Sequence, residues 1–571
     1  MSEKEIKSVD DLPRGEVISF IGEPFELSEK MRNDLCVYEI LTPGTTQKTV
    51  WILSTRTTFN TPMYMQVIKN VERKEYKIQK KIIVDYSVLK VLYEKKIYKA
   101  NQKASSEQSI VLGMFEMILN AALVENVSDI HIEVRSVVTT IRMRKDGELT
   151  EFMQDSKVSS QEGNSLCAVI YNVLAENQDV AFDPRDCQQG AVPYSIKGQP
   201  LKLRYQSMPA DPDGYDVVLR VLPVGRSEEF IPLQKLGYSN QQVKQLENIT
   251  SRPVGSLIIA GVTGSGKSTT LKNLLMYINA STSYRLKIYT IEDPPEYSIA
   301  KVTQIPVVIG KEFDSTKASP FEKPIKACMR GDPDIIMIGE VRDKITGDLT
   351  KKAVQSGHQV LTTVHAVSAL GIIERFQDFG LDGKVLGSPQ FLNGLLYQKL
   401  LPLTCPHCSI DFNNYIASDA ATKEDRDLWQ RMKNIVPDIS KYQIKLRSEM
   451  GCKECSYRGI KGRTVCAEVI SIDLNMMRLI IAGDSIDLMF YWRSLSDGNP
   501  ASDNMSGKTC MEHGFQKMLM GLVCPRSVEQ EFGPINEMLL SEQDKKANEQ
   551  KNKGGSIKFE EDKKQNNWVN L

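Results

Sequence analysis

Gly261-Val262-Thr263-Gly264-Ser265-Gly266-Lys267-Ser268 fills every fixed position of the pattern G-x-x-x-x-G-K-[ST]. Its flanks match as well. Leu257–Ala260 before it is a short, wholly apolar run, and Thr269–Asn279 after it reads as a helix. A strand, a glycine-rich turn and a helix in that order make a phosphate-binding loop. The glycines let backbone N–H groups wrap phosphates, and the helix N-terminus adds favourable partial charge. The lining expected of this loop is Gly261, Thr263, Gly264, Ser265, Gly266, Lys267, Ser268 and Thr269. Lys267 would reach the β- and γ-phosphates of ATP, and the Ser268 hydroxyl would hold Mg²⁺.

Three further apolar runs follow at Ile288–Ile291, Ile335–Ile338 and Val360–Val364, separated by helical segments. Runs apolar on both faces fit buried parallel strands, so residues 226–404 read as an α/β core with helices on both faces of its sheet. Ligands of such sheets sit beyond the carboxyl ends of the strands. There the chain carries Glu292-Asp293-Pro294-Pro295-Glu296, then Gly339-Glu340-Val341-Arg342-Asp343, then His365. Nucleotide hydrolysis needs carboxylates to hold Mg²⁺ and polarise water, and a polar group near the γ-phosphate. One charged strand end would mean little; three after a phosphate loop point to chemistry.

Around this core the chain of 571 residues divides further. Residues 106–225 read as an α+β module: a helix over Ser109–Glu125, strands over Asp129–Val134, Val138–Met143, Leu201–Ser207 and Asp216–Leu222, and a turn at Lys145-Asp146-Gly147. Residues 1–105 hold short strand-like runs such as Val50–Leu53 and no motif, and Lys95–Glu107 is polar and lysine-rich like a linker. Residues 466–540 look helical, and the polar tail 541–571 has too little apolar surface to fold alone. Lys+Arg and Asp+Glu number 72 each, giving no whole-chain attraction to nucleic acid. No apolar run approaches the ~18 residues that span a bilayer. The polar start MSEKEIKSVDD lacks the core of a signal peptide. These features suit a soluble intracellular protein and exclude collagen-like, wholly disordered and disulfide-scaffold classes.

Of eleven cysteines, four form two pairs, Cys405-Pro-His-Cys408 and Cys452-Lys-Glu-Cys455. Two such knuckles supply four thiolates, a closed tetrahedral set that suits structural Zn²⁺ and leaves no open position for chemistry. The stretch between them is longer than in compact zinc ribbons. The alternatives are four reduced thiols, or a set in which His407 replaces a cysteine. Cys466 reads as a buried thiol, His131 as ordering its own domain, and His513 as a surface residue.

The motifs together resemble the secretion ATPase superfamily, in particular the type II secretion and type IV pilus assembly ATPases. Beside the phosphate loop, Thr290–Glu296 resembles the family's Asp box, Met329–Asp343 its Walker B segment and Gly357–His365 its His box. Ser128–Glu133, Arg142–Leu149, Arg204 and Arg220 resemble the second N-terminal domain. The resemblance covers about residues 108–480. It implies a RecA-like ATPase core with a PAS-like α+β N-terminal module, a four-Cys zinc insert over 405–465 and a helical C-terminal region. It also implies that Glu340 holds Mg²⁺ or its water, that Glu292 and Glu296 sit at the catalytic water, and that His365 contacts the γ-phosphate side. Arg204 and Arg220 would approach the phosphates from the second domain, a role guanidinium suits, although each alone could be a surface ion pair. Assembly-type members carry the four-Cys insert just after the core. The chain departs from the family at Lys344–Gly347, at Ala366-Val367 and at Gln398-Lys399, which suggests a divergent branch.

The function so implied is a homo-hexameric ATPase motor, cytoplasmic and peripheral at the inner membrane. It would drive pilin polymerisation or pseudopilus-dependent secretion through a platform protein, with residues 1–105 as adaptor. No nucleic acid is expected as partner. The alternatives are a conjugation-associated pilus motor of the same family, or a DNA translocase or helicase sharing the core fold.

Overall fold

The computed structural model describes residues 6, 12–13, 15–20, 23–40, 48–93, 105–152, 158–176, 181–196, 198–223, 229–307 and 319–538. The tail expected over 541–571, and most of the linker expected over 95–107, lie outside the described residues. The chain divides into two compact units, residues 1–121 with 159–173, and residues 122–158 with 174–571.

The first unit is built on a four-stranded sheet in the order β1-β2-β3-β4, with β1 Gly15–Val17, β2 Leu35–Ile40, β3 Thr49–Ser54 and β4 Lys77–Ile83. The β3–β4 pair is parallel, so the chain must cross over, and the helix Pro62–Arg73 makes that crossing. It starts well: Thr61 caps it and Pro62 opens it. Both faces of the sheet are covered. Val37, Val50 and Ile52 join one apolar cluster with Tyr64, Ile68 and Val71, whereas Cys36, Trp51 and Leu53 face another with Leu89 and Leu92. This alternation is the period of two that a strand imposes.

The second unit holds two large sheets and a short two-stranded one, β18 Ile410–Asp411 with β19 Lys445–Leu446. The first is antiparallel, in the order β7-β6-β5-β11-β10-β9. Its strands are β5 Asp129–Arg135, β6 Val138–Lys145, β7 Glu148–Phe152, β9 Gln189–Ile196, β10 Gln199–Ala210 and β11 Gly214–Pro223, with the short β8 at Val158–Ser159. Asp146 and Gly147 form the β6–β7 turn.

The other large sheet runs β14-β13-β15-β16-β12-β17-β20. Its strands are β12 Gly255–Ala260, β13 Ile288–Glu292, β14 Thr303–Pro306, β15 Ile335–Ile338, β16 Gln359–Val364, β17 Leu392–Thr404 and β20 Ile460–Ser471. All neighbours pair in parallel except β17 and β20. Leu257 and Ile259 face the cluster containing Leu271 and Leu274 of the helix Lys267–Ser281, whereas Ile258 and Ala260 face one containing Phe376, Leu395 and Phe515. Burial on both faces is why the expected strands read as almost wholly apolar runs. The expected α/β core is thus present, in one unit with an antiparallel sheet drawn from residues 129–223, whereas residues up to 121 and 159–173 of the expected α+β module belong to the first unit. Among the described residues no helix is long and apolar enough to cross a membrane.

Two details differ from expectation. The boundary expected between 465 and 466 falls inside β20, because the chain returning from the cysteine pairs re-enters the main sheet. His513 is buried rather than on the surface. Its helix Cys510–Leu519 is covered on every side, so even its polar residues need internal partners. His513 Nδ1 accepts from the Ala467 N–H at 3.0 Å, with Gln242 Nε2 at 3.3 Å. Glu468 is buried with it and ties three segments together, accepting from the N–H groups of Ala369 at 2.8 Å and Cys510 at 3.2 Å. Cys466 is buried, and burial pushes its thiol up to about 12.

Burial holds the His513 pKa well below 6.5, with the Lys517 charge acting in the same direction. The folded chain therefore binds fewer protons than the unfolded chain once pH falls below about 6.5. The His513 contribution is intact above that pH and is lost as pH falls further, at about 1.4 kcal/mol per pH unit until the folded form also titrates. The melting temperature is expected to drop between pH 7.5 and 5.5, and His513→Gln should flatten that drop. Parallel pH profiles for the two proteins would refute this.

Candidate nucleotide and metal sites

The carboxyl ends of the parallel strands meet on one edge of the sheet. Ala260 pairs with Val364, Ile338 with Thr362 and Ile291 with Ile338, so the loops after β12, β13, β15 and β16 leave side by side. The backbones are close. A Cβ on Gly339 would lie 3.0 Å from the Ile291 carbonyl oxygen and 3.4 Å from the Glu292 Cα. Glycine before Glu340 thus lets the two acidic loops approach each other. The Gly339 carbonyl accepts from Thr363 Oγ1 at 2.6 Å.

The loop from Gly261 to Ser268 leads into the helix Lys267–Ser281. Gly261 has φ 153°, and a Cβ there would lie 2.5 Å from the Gln398 carbonyl oxygen. Gln398 braces the loop from β17. Its Nε2 donates to the Ser265 carbonyl at 2.7 Å, and its Oε1 accepts from the Tyr238 hydroxyl at 2.6 Å. Tyr238 also lies 3.1 Å from Thr270 Oγ1. Thr269 Oγ1 meets the Tyr297 hydroxyl at 3.1 Å.

Lys267 Nζ donates to the carbonyls of Gly261 at 2.7 Å and Val262 at 3.1 Å. Burial lowers its pKa, against the charges of Glu340 and Glu296. Glu340 accepts from Arg342 Nε at 2.6 Å and faces His365 Nε2 at 3.0 Å. Arg342 also lies 3.8 Å from Asp293. Glu292 accepts from Thr290 Oγ1 at 2.7 Å and Gln304 Nε2 at 3.0 Å. Burial raises its pKa and Glu296 adds to the rise, so Glu292 is a stronger base than an exposed glutamate.

Lys267, Glu292, Glu296, Glu340 and His365 thus gather at one edge. Ser268 and Thr269 lie in the first turn of the following helix. Arg204 and Arg220 stand on the antiparallel sheet, directly paired across β10 and β11. Arg204 is exposed, whereas Arg220 Nε binds Asp129 Oδ1 at 2.9 Å. Tyr238 and Gln304 carry no sequence signal, and Gln398 stands out from sequence only as part of the Gln398-Lys399 departure from the family pattern.

Cys405, Cys408, Cys452 and Cys455 bring their sulfurs within 4.8 Å of one another. Three of the separations are 3.8 Å. Tetrahedral Zn²⁺ with Zn–S near 2.3 Å requires about 3.8 Å between sulfurs, so the set fits zinc. The β17–β20 pair explains how distant knuckles meet. Thr404 pairs with Ile460, so Cys405 leaves one strand where the chain from Cys455 enters the other. The intervening residues form helices Phe412–Ile416 and Lys423–Ile435, packed through Phe412, Leu428 and Met432. Burial alone would raise the Cys455 thiol, but N–H donors from Cys452 and Gly459 and neighbouring thiols bring it to about 6. Cys408 is pushed up to about 12, by burial first and then by the other thiols. Four thiolates this close need a cation to ionise together.

An α/β sheet with a phosphate loop, acidic strand ends and a four-thiol module defines a P-loop nucleotide-binding protein with a structural metal module. The Type II/IV secretion system protein family (T2SSE) matches residues 104–515, and this chain belongs to it. Type II secretion system ATPase E of Vibrio cholerae is 32% identical over 376 residues, 66% of this chain and 68% of that protein. Type IV pilus assembly ATPase PilB of Thermus thermophilus is 28% identical over 419 residues, 73% of this chain and 42% of that protein. In fold, the ATPase DotB of Legionella pneumophila aligns with a TM-score of 0.50 at 17% identity, covering 73% of this chain and 95% of that one.

The purified protein is expected to carry about one zinc per chain, and Cys452→Ser or Cys455→Ser should lose it. Elemental analysis checks this; a metal-free native protein would contradict it.

Proposed function

We propose that the chain hydrolyses ATP as one subunit of a homo-hexameric motor for pilus assembly or type II secretion, working through an inner-membrane platform protein at the cytoplasmic face. The observation that supports this reading best is the convergence of Lys267, Glu292, Glu296, Glu340 and His365 at one sheet edge beside the phosphate loop. The names of the relatives point the same way.

In this reading the loop N–H groups and Lys267 bind the phosphates of ATP. Lys267 must first leave the carbonyls of Gly261 and Val262, exchanging two neutral acceptors for charged ones. Ser268 and Glu340 are the groups that would hold Mg²⁺ or its water. That ion, when bound, would offset negative charge on the β- and γ-phosphates. Glu292, with its raised pKa and its orientation set by Thr290 and Gln304, would take a proton from the attacking water, with Glu296 beside it. His365 would move from Glu340 to the γ-phosphate side. Arg204 and Arg220 would approach from the second domain, where guanidinium stabilises developing phosphoryl charge. Domain closure and opening through a cycle of this kind would be the mechanical output.

Slow ATP turnover by the purified protein is expected, lost in Lys267→Ala and lowered about 10²–10³-fold in Glu340→Gln. Turnover should not respond to added DNA; many-fold stimulation by DNA would replace the secretion reading with a translocase. Removing residues 1–104, which spares the helix Ser105–Val124, is expected to leave turnover intact and abolish secretion or piliation in cells. Unchanged secretion or piliation would remove the adaptor role from that segment.

A further inference from the structure

Two arginines of the four-Cys module reach onto the antiparallel sheet. They converge on its β6–β7 turn, where Asp146 and Gly147 take φ of 51° and 89°. This is the left-handed pair that joins right-twisted strands in two residues. Arg458 donates Nη1 to the Lys145 carbonyl at 3.2 Å and Nη2 to the Asp146 carboxylate at 2.5 Å. Arg447 binds both oxygens of the Glu148 carboxylate, Nη2 to Oε2 at 2.9 Å, and gives Nε to the Arg458 carbonyl at 2.9 Å. The Arg458 side chain is only 12% exposed and that of Asp146 22%. The Arg447–Glu148 contact is bidentate and the Arg458–Asp146 contact is largely desolvated, so both are stronger than ordinary surface pairs.

Both arginines are held by the thiol knuckle. In Cys455-Ser456-Tyr457-Arg458-Gly459 the Arg458 N–H donates to the Cys455 carbonyl at 3.1 Å, and the Gly459 N–H to Cys455 Sγ at 3.1 Å. The Gly459 carbonyl accepts from the Cys405 N–H at 3.0 Å. Ser456 and Tyr457 have φ of 51° and 59°, a conformation that residues other than glycine hold only when the surroundings impose it. A metal on the four sulfurs is such a surrounding.

We infer that the four-Cys module is a receptor for the β6–β7 turn. Arg447 and Arg458 are positioning residues that dock the sheet bearing Arg204 and Arg220, and the metal keeps the knuckle in the shape that presents them. The contact stands on geometry alone; only its consequence for ATP turnover rests on the motor reading.

Amide exchange in the full-length, nucleotide-free protein tests this, with zinc content measured for every variant. Glu148→Ala and Asp146→Asn lie on the turn and leave the knuckle untouched. Arg447→Ala, Arg458→Ala and Glu148→Ala are each expected to speed exchange over residues 142–151 by about tenfold with zinc retained. The Arg447→Ala/Glu148→Ala double variant should be no faster than either single one. Stripping the metal with a chelator should give the same signature in the turn, with the helix Lys267–Ser281 unchanged. Unaltered turn exchange in zinc-loaded Arg447→Ala and Glu148→Ala, or strictly additive effects, would overturn the inference. A protein without ATP turnover that still shows the turn signature would count against the motor reading alone.

Discussion

A parallel strand buried on both faces can place polar side chains in water only where it ends. That constraint organises this protein. The four parallel strands β12, β13, β15 and β16 are apolar over nearly their whole length, and each leaves the sheet at the same edge. Phosphate loop, acidic pairs and imidazole are neighbours there because charges on those strands can be hydrated only at an end, and the carboxyl ends lie side by side. Gly339 shows how close the packing is, since a side chain there would push the β15 loop away from Glu292.

The second organising element is β17. Its first part is a parallel neighbour of β12, and its second part pairs antiparallel with β20 alone. One continuous strand therefore carries Gln398, which braces the phosphate loop, and runs directly into Cys405. The four-Cys module is built on this pair rather than appended as a separate bead.

The sequence was most legible where local pattern and tertiary burial agree. The core strands could be read because burial on both faces leaves them almost wholly apolar, with few charges before their ends, and the Asp146-Gly147 turn because its backbone needs those residue types. Family motifs identified the acidic loops and His365. What could not be read depended on contacts between distant residues. Tyr238 and Gln398 are separated by 160 positions, and nothing local marks them as partners. His513 looked like a surface histidine because its helix carries Glu512, Gln516 and Lys517; after folding Glu512 pairs with Arg493 and Lys517 donates to the Gly237 carbonyl. The end expected for the cysteine module at residue 465 falls inside β20 because that strand opens with the polar Lys461-Gly462-Arg463, which reads as loop until β17 pairs with it.

The resting phosphate loop is already satisfied from within. Lys267 is occupied by two carbonyls of its own loop, and Glu340 is held by Arg342 and His365. An anion bound at this loop would have to draw Lys267 from two carbonyls, so a ligand carrying several phosphates would repay that exchange better than one carrying a single phosphate. The internal partners of Lys267 and Glu340 would therefore set how many contacts a ligand must supply before its binding is favourable.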